Sequence, residues 1–336
     1  MFIGKHNLND DVLIVAEIGN NHEGDFGLAK DMISAASESG ANAVKFQTII
    51  PNGLVSPLLT NRIEQLSRYS FSQDQYFELY EFCNKNNISF LSTPFCFESF
   101  NWLIDIIPAI KISSGDNNFY PLLKLAARKG KPIILSTGLA DLTQIRNSCR
   151  IIEDEMILVG NHADIILLHC VSAYPTPTEQ ANLKAISTLS KNFPYLIGYS
   201  DHTLGIDAAL LSVALGARLI EKHFTLSKSQ SSFRDHQLSA DPSDLKELVC
   251  KVRKAEKLLG NGEKIIQDEE INISISMRRS IVARKTLPIN HTISKDDLTF
   301  LRPGGGLNPG QESLLIGKTL NKEILLGEKI TEDLVR

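Results

Sequence analysis

Two histidines, His202 and His223, stand near the ends of two apolar runs, YLIGYSDHT (195–203) and LIEKHFT (219–225). One such histidine alone usually makes a partly buried hydrogen bond. Two on neighbouring strands, about 4.8 Å apart, can share one divalent metal and leave positions open for water and a substrate oxygen. By ligand type, manganese, iron, cobalt and zinc all stay open. Two lysines, Lys45 and Lys111, lie within other apolar runs, and Thr93, Ser114 and Ser136 add hydroxyls. Ammonium groups with neutral donors can hold a phosphate and a carboxylate together. The plainer role for each lysine is a pair with an internal carboxylate, Glu17 or Glu221, and the two roles are compatible. Glu17, Asp116 and Glu221 are candidates for proton transfer or for fixing a sugar hydroxyl. Asp116 sits in SGDNN, a composition that also suits a turn.

These groups need a scaffold that brings them to one place. Eight short β-branched runs supply it: 12–19, 43–48, 88–95, 109–115, 132–138, 164–170, 195–203 and 219–225. Helix-like stretches separate them, among them 27–39, 73–86, 119–129, 179–191, 205–216 and 243–258. Alternation of this kind predicts parallel β-α units, and eight repeats predict a (β/α)8 TIM barrel within an α/β protein. An open, doubly wound sheet is the competing architecture. Period-2 alternation puts Lys45 and Gln47 on one face against Val44 and Phe46 on the other. Glu221 and His223 likewise oppose Ile220 and Phe224. The polar set then points into the C-terminal mouth of the barrel, where barrel enzymes build their sites.

A barrel takes about 250 residues, so a chain of 336 has room for one small further domain. The net charge of −4 argues against bulk binding to nucleic acid or an anionic membrane. Five scattered cysteines without a CxxC pair read as reduced core thiols. With no apolar signal core at the N-terminus and no long apolar run, the expected location is cytoplasmic. The aromatic residues around 69–100, and Trp102, read as packing. Residues 1–262 are assigned to the barrel, 263–277 to a polar linker with about one helical turn, and 278–336 to a small β-rich domain. Extended, the stretch 260–276 would reach roughly 50 Å. The last domain carries an internal echo, Asn290 to Asp296 and Gly327 to Asp333. Each copy has a turn residue, an apolar anchor, then a Ser or Thr N-cap followed by an acid. The glycines of RPGGGLNPG (302–310) join no strand to a helix, so a dinucleotide loop is excluded.

Taken in order, AEIGNNHEGD (16–25), AVKFQT (43–48), STPF (92–95), KISSGD (111–116), ILSTG (134–138), LHC…YPTP (168–177), YSDHT (199–203) and EKHFT (221–225) resemble the N-acetylneuraminate (sialic acid) synthase family, which includes legionaminic and pseudaminic acid synthases. The tail from Arg278 resembles that family's antifreeze-like (SAF) domain. The resemblance implies condensation of phosphoenolpyruvate with an N-acetylated amino sugar, and a domain-swapped homodimer in which each SAF domain covers its partner's barrel. It implies a divalent metal, manganese first and magnesium or cobalt as alternatives, on His202 and His223. Lys45, Thr93, Lys111, Ser114, Ser136 and Ser200 correspond to the phosphoenolpyruvate set. Gln47, Tyr174, Asp235 and Arg302 fall at sugar-side positions, and Glu17, Asp116 and Glu221 at catalytic ones.

Three departures bear on the sugar. Asp116 replaces a Glu, Ser172 stands where an Asn is usual, and Phe233 and Arg234 replace small residues beside Asp235. They leave N-acetylmannosamine and a di-acetamido trideoxy hexose both open as acceptor. Other functions compatible with parts of the chain are a metal-dependent barrel aldolase or sugar isomerase that does not use phosphoenolpyruvate, and a non-catalytic carbohydrate- or ice-binding protein.

Overall fold

The computed structural model describes residues 1–336. Each of the eight apolar runs forms a strand: β1 Leu13–Gly19, β2 Ala43–Thr48, β3 Ser89–Pro94, β4 Ile110–Ile112, β5 Ile133–Ser136, β6 Ile165–Cys170, β7 Leu196–Asp201 and β8 Leu219–His223. The hydrogen-bonded order runs β3-β2-β1-β8-β7-β6-β5-β4, with all ladders parallel. β3 and β4, the two ends of that order, lie against each other. The strands therefore follow chain order around a near-closed barrel. A doubly wound sheet would reverse its order part-way, and it does not.

Alternation along the strands separates two cores. Leu13, Val15, Ala43, Leu91 and Leu219 fill the barrel interior below the polar layer. Ile14, Ala16, Ile18, Val44, Phe46, Ile220 and Phe224 face the surrounding helices. A ribbon of Phe2–Ile3 paired with His6–Asn7 adds Ile3 and Leu8, both fully buried, to the interior cluster. The two short strands are too brief for periodicity to reveal.

Helices follow the predicted stretches, with boundaries set by caps. Asp25 accepts from Leu28 N at the start of Phe26–Glu38. Reciprocal side-chain and backbone bonds start Gln73–Lys85 from Ser72 and Gln75, and Leu142–Val159 from Asp141 and Gln144. The helix expected over 179–191 begins only at Lys184, after a 3-10 turn at Thr178–Gln180. Two helices in the connection after β2, Pro51–Leu54 and Thr60–Ser67, were not expected. In the second, only Leu66 is buried, so no apolar stripe marks it.

Residues Met1–Gly260 and Asn261–Arg336 form separate compact units. In the second, the expected linker contains a ten-residue helix, Asp268–Met277, in place of a single turn. Glu270 Oε2 accepts from Gln267 N at 2.9 Å, and this bond and three acids in the first turn favour the helix. None of its residues is buried, so it carries no apolar stripe to read. These ten residues rise only about 15 Å as a helix against about 33 Å extended, which shortens the expected reach. Beyond it, Ser280–Ala283 pairs antiparallel with Leu298–Leu301. Ile293 and Ile330 anchor the two echoed turns in this unit's core, and Ser294 and Thr331 start 3-10 turns, not α-helical ones. No helix of the chain is long and apolar enough to cross a membrane.

Candidate active site

A cavity of about 810 Å3 opens at the C-terminal ends of the barrel strands. Strand register builds its floor. Glu17 on β1 lies opposite Lys45 on one side and His223 on the other. Gln47 is level with Thr93, and Glu221 with Ser200.

Four buried charges occupy the centre. Lys45 Nζ lies 2.7 Å from Glu17 Oε2 and 3.8 Å from Glu221 Oε1. Lys111 Nζ donates to Glu221 Oε2 at 2.9 Å and to Ser136 Oγ at 2.7 Å. Both plain pairings of the lysines are thus present, inside the cavity. Lys45 also donates to Thr93 Oγ1 at 3.3 Å, and Gln47 Nε2 to Glu17 Oε1 at 3.2 Å. Burial raises the Glu17 carboxyl above its ordinary range, and nearby Glu221 adds to this against the pull of Lys45. Burial pushes Glu221 the same way, but Lys111 and Lys45 together outweigh it and hold Glu221 below its ordinary value. Burial lowers Lys111, while for Lys45 the two carboxylates overcome burial and raise it. The two neighbouring carboxyls are therefore pushed in opposite directions, Glu17 up and Glu221 down.

Hydroxyls surround this cluster. Ser114, Ser136, Ser172 and Ser200 all line the cavity. A Cβ on Gly138 would come within 2.6 Å of Ser114 Oγ and 2.5 Å of Ser172 Oγ, so glycine there keeps the hydroxyl-lined hollow open. Ser172 Oγ and Glu221 Oε1 are buried without a hydrogen-bond partner, which leaves both free for a bound ligand or water.

The two histidines suit a metal ion. Their ring centroids are 5.4 Å apart. His202 donates from Nδ1 to Val171 O at 2.8 Å, a bond that leaves Nε2 its lone pair. Burial holds His223 at about 4, so it is neutral at physiological pH, and its Nδ1 is buried without a partner. No cluster of three His, Cys, Asp or Glu side chains forms a fuller ligand set. Water and substrate oxygens would have to complete the coordination of any ion held there.

Residues 32–264 match the NeuB family, and residues 278–336 match the SAF domain. The chain belongs to the NeuB family. It is 41% identical to the N,N'-diacetyllegionaminic acid synthase of Legionella pneumophila, over 94% of this chain and 92% of that protein. It is 35% identical to the pseudaminic acid synthase of Campylobacter jejuni, over 99% of both. Among solved structures, the N-acetylneuraminic acid synthetase of Leptospira borgpetersenii, crystallised with citrate, superposes with a TM-score of 0.76 at 36% identity, covering 81% of this chain and 94% of that one.

Within this NeuB-family barrel the cavity gathers Glu17, Lys45, Gln47, Thr93, Lys111, Ser114, Ser136, Tyr174, Ser200, His202, Glu221, His223 and Asp235. Two expected residues lie elsewhere. Asp116 does not line the cavity: it ends a 3-10 turn and accepts from Ser113 Oγ at 2.7 Å. Arg302 belongs to the SAF unit and is exposed there.

Residues that the sequence reading passed over complete the walls. Asn20 donates to Gln47 Oε1 at 3.0 Å. Arg62, Gln65 and Tyr69 come from the unexpected helix Thr60–Ser67 and the turn after it. Tyr69 thus lines the cavity, whereas Trp102 packs on Tyr76 and Phe77 as expected. Tyr69 meets Phe233 at 5.3 Å, and the Arg234 guanidinium lies 4.7 Å over Tyr174. Tyr174 in turn lies 4.1 Å from His202. Of the cysteines, Cys83, Cys96 and Cys149 are buried as expected; Cys170 is buried but lines the cavity, and Cys250 is exposed, against expectation. The doublets Asp-His and Lys-His could have drawn attention to Asp201 and Lys222, which form a buried pair at 3.0 Å behind the histidines.

Proposed function

We propose that this protein condenses phosphoenolpyruvate with an N-acetylated amino sugar, N-acetylmannosamine or a di-acetamido trideoxy hexose, to a nine-carbon 2-keto-3-deoxy acid and phosphate. The observation that carries this reading is the sharing of one cavity by the Lys45/Lys111 cluster and the His202/His223 pair. The named NeuB-family relatives, synthases of nine-carbon sugar acids, support it.

Lys45 and Lys111 hold the carboxylate and phosphate of phosphoenolpyruvate, and Thr93, Ser114, Ser136 and Ser200 supply neutral donors. His202 and His223 hold a divalent metal, manganese with magnesium or cobalt as alternatives, which when bound supplies Lewis acidity at the aldehyde oxygen of the open-chain sugar. Gln47, Tyr174 and Asp235 orient that sugar. C3 of phosphoenolpyruvate forms a bond to the aldehyde carbon, whose oxygen takes a proton. Glu17, whose carboxyl burial shifts upward, is the source of that proton. A water adds at C2 and gives up its proton to Glu221 Oε1. The C2 hydroxyl so formed passes its proton to the departing phosphate as the C–O bond breaks, so that phosphate takes the bridging oxygen and C2 becomes the keto carbon. Fixing donor, acceptor and water in one cavity supplies much of the rate.

The partner's Arg302 completes the sugar side in a domain-swapped homodimer. The reaction runs in the cytoplasm, where phosphoenolpyruvate is made.

A metal-dependent aldolase or isomerase would use the histidines but leave the two lysines and their hydroxyl shell without a ligand. A carbohydrate-binding protein would need neither. Phosphate release is the test, with metal-stripped and manganese-loaded protein, phosphoenolpyruvate and a panel of 2-acetamido sugars. Release that depends on acceptor and metal, with a product whose mass equals acceptor plus pyruvate, is expected. Metal-free protein with full activity, or release without a sugar product, contradicts the proposal.

A further inference from the structure

The faces of β7 and β8 turned away from the cavity carry a second pair of functional-group residues. Ser200 and His202, and likewise Glu221 and His223, point to the cavity. The intervening residues, Asp201 and Lys222, are direct partners across the β7–β8 ladder on the opposite face. They are 0% and 1% exposed. Each immediately precedes one of the two histidines.

This pair is fully bonded. Lys222 Nζ donates to Asp201 Oδ2 at 3.0 Å and to Thr203 O at 2.5 Å. Asp201 Oδ1 accepts from Thr203 N and Thr203 Oγ1, both at 2.8 Å, and from Tyr199 OH at 3.2 Å. The turn after His202 is therefore tied to the end of β8. Stability alone is a poor reason for such a pair, since a buried ion pair replaced by apolar residues of similar volume is often no less stable. Position is a better one. The His202 ring is held by Val171 O, but the His223 ring has a buried nitrogen with no partner, so its place is inherited from its strand. Groups behind metal ligands orient them, and here no third His, Cys, Asp or Glu adds to the two histidines in fixing the place of an ion.

We infer that Asp201 and Lys222 are positioning residues for the metal: the ion pair behind the barrel strands sets the separation of His202 and His223 and thereby the affinity for a divalent ion. The inference rests on the metal role proposed for the two histidines. It goes beyond that role in assigning the affinity to a pair that touches neither metal nor substrate.

The test is manganese binding by the full-length, metal-stripped protein, followed by calorimetry, alongside urea denaturation of the same samples. The double variant Asp201→Leu/Lys222→Met removes both charges and fills the space with apolar atoms. Its urea midpoint is expected below that of wild type, because Tyr199 OH and Thr203 N, Oγ1 and O lose their partners. The manganese Kd of the folded variant is expected to rise about 10- to 100-fold, the range seen when supporting residues of metal ligands are lost. Lys222→Gln is the companion variant for the case in which the double variant does not fold. It leaves Asp201 its bonds from Thr203 and Tyr199 and keeps an N–H donor in place of the ammonium, and its Kd is expected to rise about tenfold. A folded variant that binds manganese as wild type does overturns the inference while leaving the metal site standing. Failure of wild type itself to bind a divalent ion, with His202→Ala no different, overturns the metal reading and the inference with it.

Discussion

At the residue scale, the candidate site was legible wherever a polar group interrupts an apolar strand. Lys45, Lys111, Glu221 and His223 announce themselves because charge or imidazole at an inward strand position needs a partner there. Asp116 shows the limit of that signal. It follows β4 in a turn, where period-2 logic no longer holds, and its carboxylate bonds to Ser113. Asp116→Asn is therefore expected to keep turnover within about threefold; a loss near 100-fold, the size of a positioned acid or base, would restore a catalytic role. His22 was not legible either, because only the packed structure reveals its burial. Stacked on Phe71 at 4.3 Å, it is held at about 4 by burial. In the unfolded chain a histidine titrates near 6.5. Between those values the unfolded chain binds a proton that the folded chain does not, so stability falls as pH falls through that window and the loss is complete below about 4. The contribution is on the order of 3 kcal/mol from His22. Urea midpoints measured from pH 7 to 4.5 should decline, and His22→Phe should flatten the decline. An unchanged slope in that variant would assign the acid sensitivity to other groups.

At the element scale, all eight strands could be read because each is half of an alternating or apolar pattern pressed between two cores. The segments that shape the rim could not. Thr60–Ser67 buries one residue, and the loop before Asp235 carries no periodicity. Yet these segments bring Tyr69, Phe233, Arg62 and Arg234 into the lining of the cavity. The Arg234 guanidinium lies 4.7 Å over the Tyr174 ring and donates from Nε to Asp235 Oδ1 at 3.1 Å, which leaves its two terminal amino groups for a ligand. Arg234→Ala should raise the KM for the acceptor about tenfold, the scale of one hydrogen bond to a charged group, and leave the KM for phosphoenolpyruvate unchanged. Equal changes in both constants would mean that Arg234 supports the whole cavity and not the sugar. The N-terminal ribbon was equally silent in the sequence, and its contribution is to stability. Leu8 is fully buried in the interior core. Leu8→Ala should cost about 2–5 kcal/mol in denaturant unfolding, with turnover unaffected.

At the scale of the whole molecule, the composition break near residue 260 coincides with the end of the first compact unit at Gly260. The helix Asp268–Met277 was hidden because it buries nothing along its length. For the dimer proposed above, mixing His202→Ala with Arg302→Ala under conditions of subunit exchange should restore about a quarter of wild-type activity. Half of randomly exchanged dimers are hybrids, and each hybrid has one site free of both changes. No recovery, with exchange verified by mass spectrometry, would assign each SAF domain to its own barrel. The barrel chemistry itself is tested most directly by the fate of one oxygen. Phosphoenolpyruvate labelled with heavy oxygen at the bridge between carbon and phosphorus is turned over with the acceptor, and both products are weighed. The account predicts the label in the released phosphate and none in the nine-carbon acid. Label retained in the organic product, or a product formed equally well from pyruvate, would contradict it.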